Sequence, residues 1–217
     1  MHARWRLLAL LAATGALAAV TSAASANRLS VSARTLRAAW FEFEIKGSLT
    51  VRCRATLEGT FHASTFSKVV GSLIGYFTRA SLARPCIGGT AWFYNGSEVN
   101  EVLGLSTLSN SLPWHIRYDR FGGTLPIPWS VSVLVEGIRL LVRATFFGIP
   151  ILCVYSAPGI APIRMTLENN EGRVVWLRPE PGSFLSKERE VCPSATLEGV
   201  GNVTQLGEIS SITVTLI

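Results

Sequence analysis

Alternation with a period of two dominates the chain beyond residue 26. Phe41, Phe43 and Ile45 alternate with Glu42 and Glu44. Leu49, Val51, Cys53, Ala55 and Leu57 alternate with Thr50, Arg52, Arg54, Thr56 and Glu58. The same pattern returns in Trp114–Asp119, Ile163–Glu168 and Ile212–Leu216. Side chains of an extended strand point alternately to opposite faces, so this pattern predicts antiparallel strands with one buried and one wet face. Asn95-Gly96, Gly122-Gly123, Pro158-Gly159, Asn169-Asn170-Glu171-Gly172 and Pro181-Gly182 punctuate the runs as turns. Ile163–Glu168 and Arg173–Arg178 form a predicted hairpin with a four-residue loop between them. The expected fold class is all-β: an antiparallel β-sandwich or flattened β-barrel of about nine to twelve strands, closed by two disulfides.

Two segments fit more than one element. The apolar positions of Phe66–Phe77 follow a helical stripe, but Gly71 and Gly75 weaken a helix by about 1 kcal/mol each, and a strand over Ile74–Arg84 is preferred. Ser130–Phe147 fits a helix, and equally two strands carrying Val131/Val133/Val135 and Ile138/Leu140/Val142. The phase slips between them at Glu136-Gly137, as at a β-bulge. Glu136, Arg139 and Arg143 argue against a membrane-spanning helix there. The pentapeptide Ala55–Gly59 recurs as Ala195–Gly199, each copy shortly after a cysteine, which suggests two similar strands near cross-links.

The chain start changes the picture from fold to location. Arg4 and Arg6 precede an apolar run, Leu7–Val20, which ends in the small residues Ala24-Ser25-Ala26. That order is the signature of a secretory signal peptide over residues 1–26, leaving a single secreted β-rich domain over 27–217. Cys53, Cys86, Cys153 and Cys192 all lie in that part. An even cysteine count outside the cell favours disulfides, and sequential pairing, Cys53–Cys86 and Cys153–Cys192, ties neighbouring segments. Without any Cys-x-x-Cys spacing, a metal site is not expected.

The charge is modest. The formal +6 falls to +4 without Arg4 and Arg6. Arg52/Arg54, Arg117/Arg120 and Arg139/Arg143 are spaced pairs rather than a cluster, which gives no nucleic-acid surface.

Candidate chemistry is sparse. No nucleophile elbow, phosphate loop or dinucleotide fingerprint is present, and no cofactor is implied. His115 and Asp119 share a strand side, with Ser109, Ser111 or Thr124 as neighbouring hydroxyls, but positions four apart on a strand are about 13 Å apart. Glu42/Glu44 and Glu188/Glu190 are carboxylate pairs about 7 Å apart, a spacing that glycosidases use and that exposed strands also carry. The sequence therefore assigns no catalytic residue. Trp114 alternates in phase with core positions, and Trp176 is expected to be half-buried. Trp129, which follows Pro126 and Pro128, is expected on a loop or edge and, with Trp92, could offer an aromatic platform for a ligand.

Leu112-Pro113-Trp114-His115 resembles a motif of secreted actinobacterial β-rich proteins of unknown function with paired cysteines. Further matching segments are Cys53, Ile74-Gly75, Cys86-Ile87-Gly88-Gly89, Gly122–Pro126 and Cys153. The resemblance implies export, an all-β fold with disulfides and a GC-rich Gram-positive source, and transfers no activity. The function expected is a non-catalytic, secreted or cell-envelope-associated binding or structural module, with a cell-envelope glycan or lipid as partner. Two alternatives stand beside it: a secreted hydrolase using His115 with a nearby hydroxyl, and an envelope-inserting β-barrel.

Overall fold

The computed structural model describes residues 28–94, 111–123, 129–170 and 173–217. The predicted signal peptide, Ser109 and Thr124 lie outside these residues. Every regular element among them is a strand. In chain order these are β1 (Arg28–Val31), β2 (Thr35–Gly47), β3 (Val51–Phe61), β4 (Thr65–Ser67), β5 (Leu73–Ile87), β6 (Thr90–Phe93), β7 (Trp114–Gly123) and β8 (Trp129–Glu136). There follow β9 (Ile138–Phe146), β10 (Ile149–Ala157), β11 (Ile163–Asn170), β12 (Arg173–Pro179), β13 (Phe184–Lys187), β14 (Ala195–Glu198), β15 (Gly201–Thr204) and β16 (Ile212–Leu216).

The pairing β12-β11-β8-β7-β5-β3-β2 is closed by β15, which pairs with both β2 and β12, giving an eight-stranded antiparallel barrel. A second sheet, β14-β13-β10-β9-β6, grows from the far half of β2. Strand β2 is shared: Arg37–Trp40 pairs with β15, and Glu44–Gly47 pairs with β14. Its alternation is broken by a β-bulge, because Trp40 pairs with Ala55 and Phe43 with Cys53, leaving Phe41 and Glu42 opposite Arg54. The expected common face of Phe41, Phe43 and Ile45 is therefore corrected. Phe43 and Ile45 are buried, whereas Phe41 is turned outward and 72 % exposed.

Apolar side chains fill the barrel. Trp40, Phe43, Phe93 and Trp114 form a run of edge-on aromatic contacts, with centroids 5.7, 5.8 and 5.0 Å apart, which joins the barrel interior to the second sheet. The outer wall carries ion pairs instead, among them Arg52–Glu44, Lys46–Glu198 and Arg117–Glu136. That polarity is the inverse of a barrel whose outer wall faces lipid. Among the described residues no helix is long and apolar enough to cross a membrane.

Both disulfides pair sequentially: Cys53–Cys86 links β3 to β5, and Cys153–Cys192 links β10 to the segment after β13. Phe66–Phe77 is not helical; Leu73 begins the long strand β5. The Glu136-Gly137 slip is a corner rather than a bulge. Gly137, at φ +89°, turns the chain out of the barrel, so that β8 pairs with β7 and β11 while β9 pairs with β6 and β10. A left-handed backbone at such a corner suits glycine. The predicted hairpin exists with longer arms, since Asn169 pairs with Val174 and Asn170 with Arg173, and a bulge at Val175 shifts the register between these pairs and Glu168–Trp176. The two copies of the repeated pentapeptide lie on opposite edges of β2, one in β3 and one in β14.

Candidate functional site

The triad-like group does not assemble. His115 packs its ring on Tyr76 and brings Nδ1 to 3.7 Å from Glu136 Oε2. Asp119 occupies a bulge in β7, because Tyr118 pairs with Val133 and Arg120 with Ser132, and it accepts from Arg164 Nε at 2.8 Å. Ser111 Oγ is committed as well, donating to the Tyr94 carbonyl at 2.7 Å and accepting from Trp114 Nε1 at 3.0 Å. The carboxylate pairs are likewise divided: Glu44 is held by Arg52, Glu188 by Arg139 and Glu190 by Lys187.

Neither tryptophan of the expected platform presents a face to solvent. Trp129 is 4 % exposed and Trp92 is 5 % exposed. Trp129 begins β8 in phase with Val131, Val133 and Val135 and stacks on Phe121 inside the barrel. Trp92 pairs with Leu141 of β9, and the guanidinium carbons of Arg84 and of Arg143 on β9 lie 5.9 and 5.8 Å from the centre of its ring.

A polar cluster does form on β7, β8, β11 and the residue after β12. Glu180 accepts hydrogen bonds from Ser132 Oγ, Thr166 Oγ1 and Arg120 Nη2, each at 2.9 Å. Burial pushes the Glu180 pKa upward, but the two hydroxyls and the Arg120 guanidinium outweigh it and hold the group below its ordinary value. A carboxylate kept ionised in this way is a poor proton acceptor, so Ser132 gains no activation from it. The cluster ties neighbouring strands together. Among the described residues no group of three or more His, Cys, Asp or Glu could hold a metal ion.

Two adjoining depressions, of about 440 and 360 Å³, lie on the outer wall over β2, β3 and β5 and share Thr56 and Ser81. Arg37 and Arg79 flank Glu58 in the first, at 3.8 and 3.7 Å. In the second, the Arg54 guanidinium lies 4.6 Å from the centre of the exposed Phe41 ring. Two bulges build this groove. The one in β2 turns Phe41 outward. One in β5, where Glu58 pairs with Arg79 and Gly59 with Phe77, sends both Thr78 and Arg79 outward. Bulges re-aim side chains in this manner and are enriched beside binding sites. Three guanidinium groups against one carboxylate leave the groove cationic, and its lining also carries the Thr56, Thr78 and Ser81 hydroxyls, the exposed Phe41 ring and small apolar residues such as Ala39 and Ala83. Such a surface can bind; it offers no activated nucleophile or proton-transfer pair.

The sequence pointed to tryptophan for this role, and the structure supplies Phe41 instead. Arg52/Arg54 was the available signal, two cations on one strand face, but Arg37 and Arg79 join Arg54 only through the pairing of β2, β3 and β5. Comparison of the chain with protein-family models, curated proteins and solved structures finds no match.

Proposed function

We propose that this is a non-catalytic, exported binding module whose outer-wall groove takes an acidic, polyhydroxylated ligand, such as a uronate-containing or phosphorylated envelope glycan. The observation that carries the reading is the placement of Arg37 and Arg79 in one depression and of Arg54 and the Phe41 ring in its neighbour, with Thr56 and Ser81 lining both. Guanidinium groups recognise carboxylate and phosphate by paired, charge-assisted hydrogen bonds. An exposed aromatic ring receives the apolar face of a sugar, and serine and threonine hydroxyls exchange hydrogen bonds with its hydroxyls. The filled barrel interior supports an exterior site. The disulfides are consistent with an extracellular location, where such polymers occur.

The test is calorimetric titration of the disulfide-bonded protein with oligogalacturonate, with a neutral cello-oligosaccharide of equal length as control. The acidic ligand is expected to bind at least tenfold more tightly. Arg79→Ala removes one charge-assisted contact, worth about 1.5–3 kcal/mol, and weakens binding roughly 10- to 100-fold, while Phe41→Ser weakens both ligands. Equal affinity for the two ligands, or acidic-ligand affinity untouched by Arg79→Ala, rejects the reading.

A further inference from the structure

The β9–β10 hairpin ends in a tip of unusual composition. Phe146 pairs with Ile149, so only Phe147 and Gly148 form the turn. Both have positive φ, +49° and +79°, the backbone of a tight hairpin turn that favours Asn, Asp or Gly in its first position. A phenylalanine there is strained. It is also 89 % exposed, and its ring meets Phe146 at 4.4 Å but no other described ring. Ile149 is 64 % exposed beside it, and Ile87 is 70 % exposed at the β5–β6 turn, where Gly89 abuts Arg143 and Ala144 at the base of the hairpin. A strained and exposed aromatic residue is a costly choice for the fold alone, and such outliers cluster at functional sites.

The charges nearby indicate what that is. No charged residue occurs between Arg143 and Arg164, and no carboxylate between Glu136 and Glu168. The hairpin is thus an uncharged apolar point with a cationic base. Arg143 is exposed, lies three residues behind Phe146, and makes no ion pair among the described residues; Arg84 lies over the same Trp92 ring. Three residues of strand span about 10 Å. That is the depth an interfacial apolar segment reaches below lipid headgroups, so Arg143 would stand at the phosphates when the tip is immersed.

We infer that the β9–β10 tip, Phe146–Ile149, is a membrane-docking point that dips into the surface of a bilayer containing anionic phospholipid, with Arg143 on the phosphate groups. The barrel itself stays in water, and the groove over β2, β3 and β5 is left free. The occupant is a lipid surface rather than a second copy of the chain, because two identical tips would bring Arg143, which makes no ion pair among the described residues, against its own copy.

The disulfide-bonded protein is sedimented with sucrose-loaded vesicles of phosphatidylcholine containing one quarter phosphatidylglycerol, and with vesicles of phosphatidylcholine alone. Binding is expected on the anionic vesicles, weakened several-fold on neutral ones and by Arg143→Gln. Phe147→Asn is expected to cut partitioning at least tenfold while raising the unfolding midpoint by about 2–4 °C, because asparagine relieves the turn. Ile149→Thr should weaken partitioning without that rise. Arg79→Ala should leave it unchanged, which separates this test from that of the groove. The inference is overturned by absence of binding to anionic vesicles, by full binding of Phe147→Asn, or by a lowered midpoint for that variant, which would make Phe147 a packing residue. Conversion of a dimer to a monomer by Phe147→Asn in analytical ultracentrifugation overturns it in favour of self-association.

Discussion

Closure of the barrel rests on β15, and Gly201 is where it can be tested. This residue pairs with Trp40 of β2 on one side and Leu177 of β12 on the other. A Cβ at Gly201 would lie 2.5, 2.6 and 2.9 Å from Cε2, Cδ2 and Cζ2 of the Trp40 indole. Ordinary carbon–carbon contact is about 3.5–4.0 Å, so the overlap is roughly 1 Å. The backbone of Gly201 is not left-handed, so alanine adds no torsional strain and its effect is steric alone. Trp40 cannot yield cheaply, being 2 % exposed and held edge-on by Phe43 at 5.7 Å. Overpacking of this kind costs about 1–3 kcal/mol, and the rigid neighbour places Gly201→Ala at about 2–3 kcal/mol. Trp40→Phe deletes atoms that the new methyl would strike. Its own cavity cost is about 2 kcal/mol, moderated because Trp40 Nε1 is a buried donor without a partner and is lost with the indole. In the double variant the methyl fills part of the vacated space, so the costs fall short of additivity by about 1.5–2 kcal/mol. Urea unfolding of the four proteins, followed by far-ultraviolet circular dichroism, measures the cycle. A neutral Gly201→Ala, or a coupling below about 0.5 kcal/mol, refutes the packing of this seam.

Further predictions concern charge and cross-links. The Glu180 pKa is lower in the folded protein than its ordinary 4.5, so its contribution to stability is fully present above that value and is lost as pH falls through the lower, folded one. Thermal midpoints between pH 6 and pH 3 should therefore fall more steeply for the wild type than for Glu180→Gln, and parallel curves would show that the cluster does not favour the ionised form. Replacing Cys153 and Cys192 together by serine opens a cross-link spanning 39 residues, worth about 4 kcal/mol by chain entropy. The urea midpoint should drop accordingly while the β-sheet spectrum of the folded state is retained.

What the sequence made legible, and what it hid, follows from how each feature is encoded. Alternation is local, so the strands around Val51–Leu57, Trp114–Tyr118 and Ile163–Leu167 could be read directly, and the sequential pairing chosen among the three possible for four cysteines is the one found. A bulge is decided by the neighbouring strand. Nothing in Trp40-Phe41-Glu42-Phe43 announces that Trp40 and Phe43 both point inward until β3 supplies Ala55 and Cys53 as their partners. Thr78 and Asp119 were hidden for the same reason. Trp129 shows a different failure. The prolines before it marked a strand boundary, while its phase with Val131 and Val133 already placed it inside the barrel. Trp92 belongs to a strand whose residues are buried on both faces, where alternation carries no information. The Phe147-Gly148 turn escaped because phenylalanine is not a residue that such a turn prefers.

The same irregularities account for where a ligand can be held. A barrel packed with Trp40, Phe43 and Trp114 has its interior filled, so the binding proposed above needs the outer surface. A regular strand wall is a poor recognition surface, because its outward side chains repeat at fixed intervals and diverge as the wall curves. Each bulge adds one outward residue and a local bend, which is how Phe41 reaches Arg54 and how Arg79 converges with Arg37 on Glu58. The bulge in β2 also falls where that strand exchanges β15 for β14 as its partner. Gly199, at φ +117°, closes against the Glu42 carbonyl there; a Cβ would lie 2.3 Å from that oxygen. The irregularity that joins the two sheets is therefore the one that presents the aromatic face. A strand β2 without its bulge would turn Phe41 inward with the core and leave Arg54 on a flat wall.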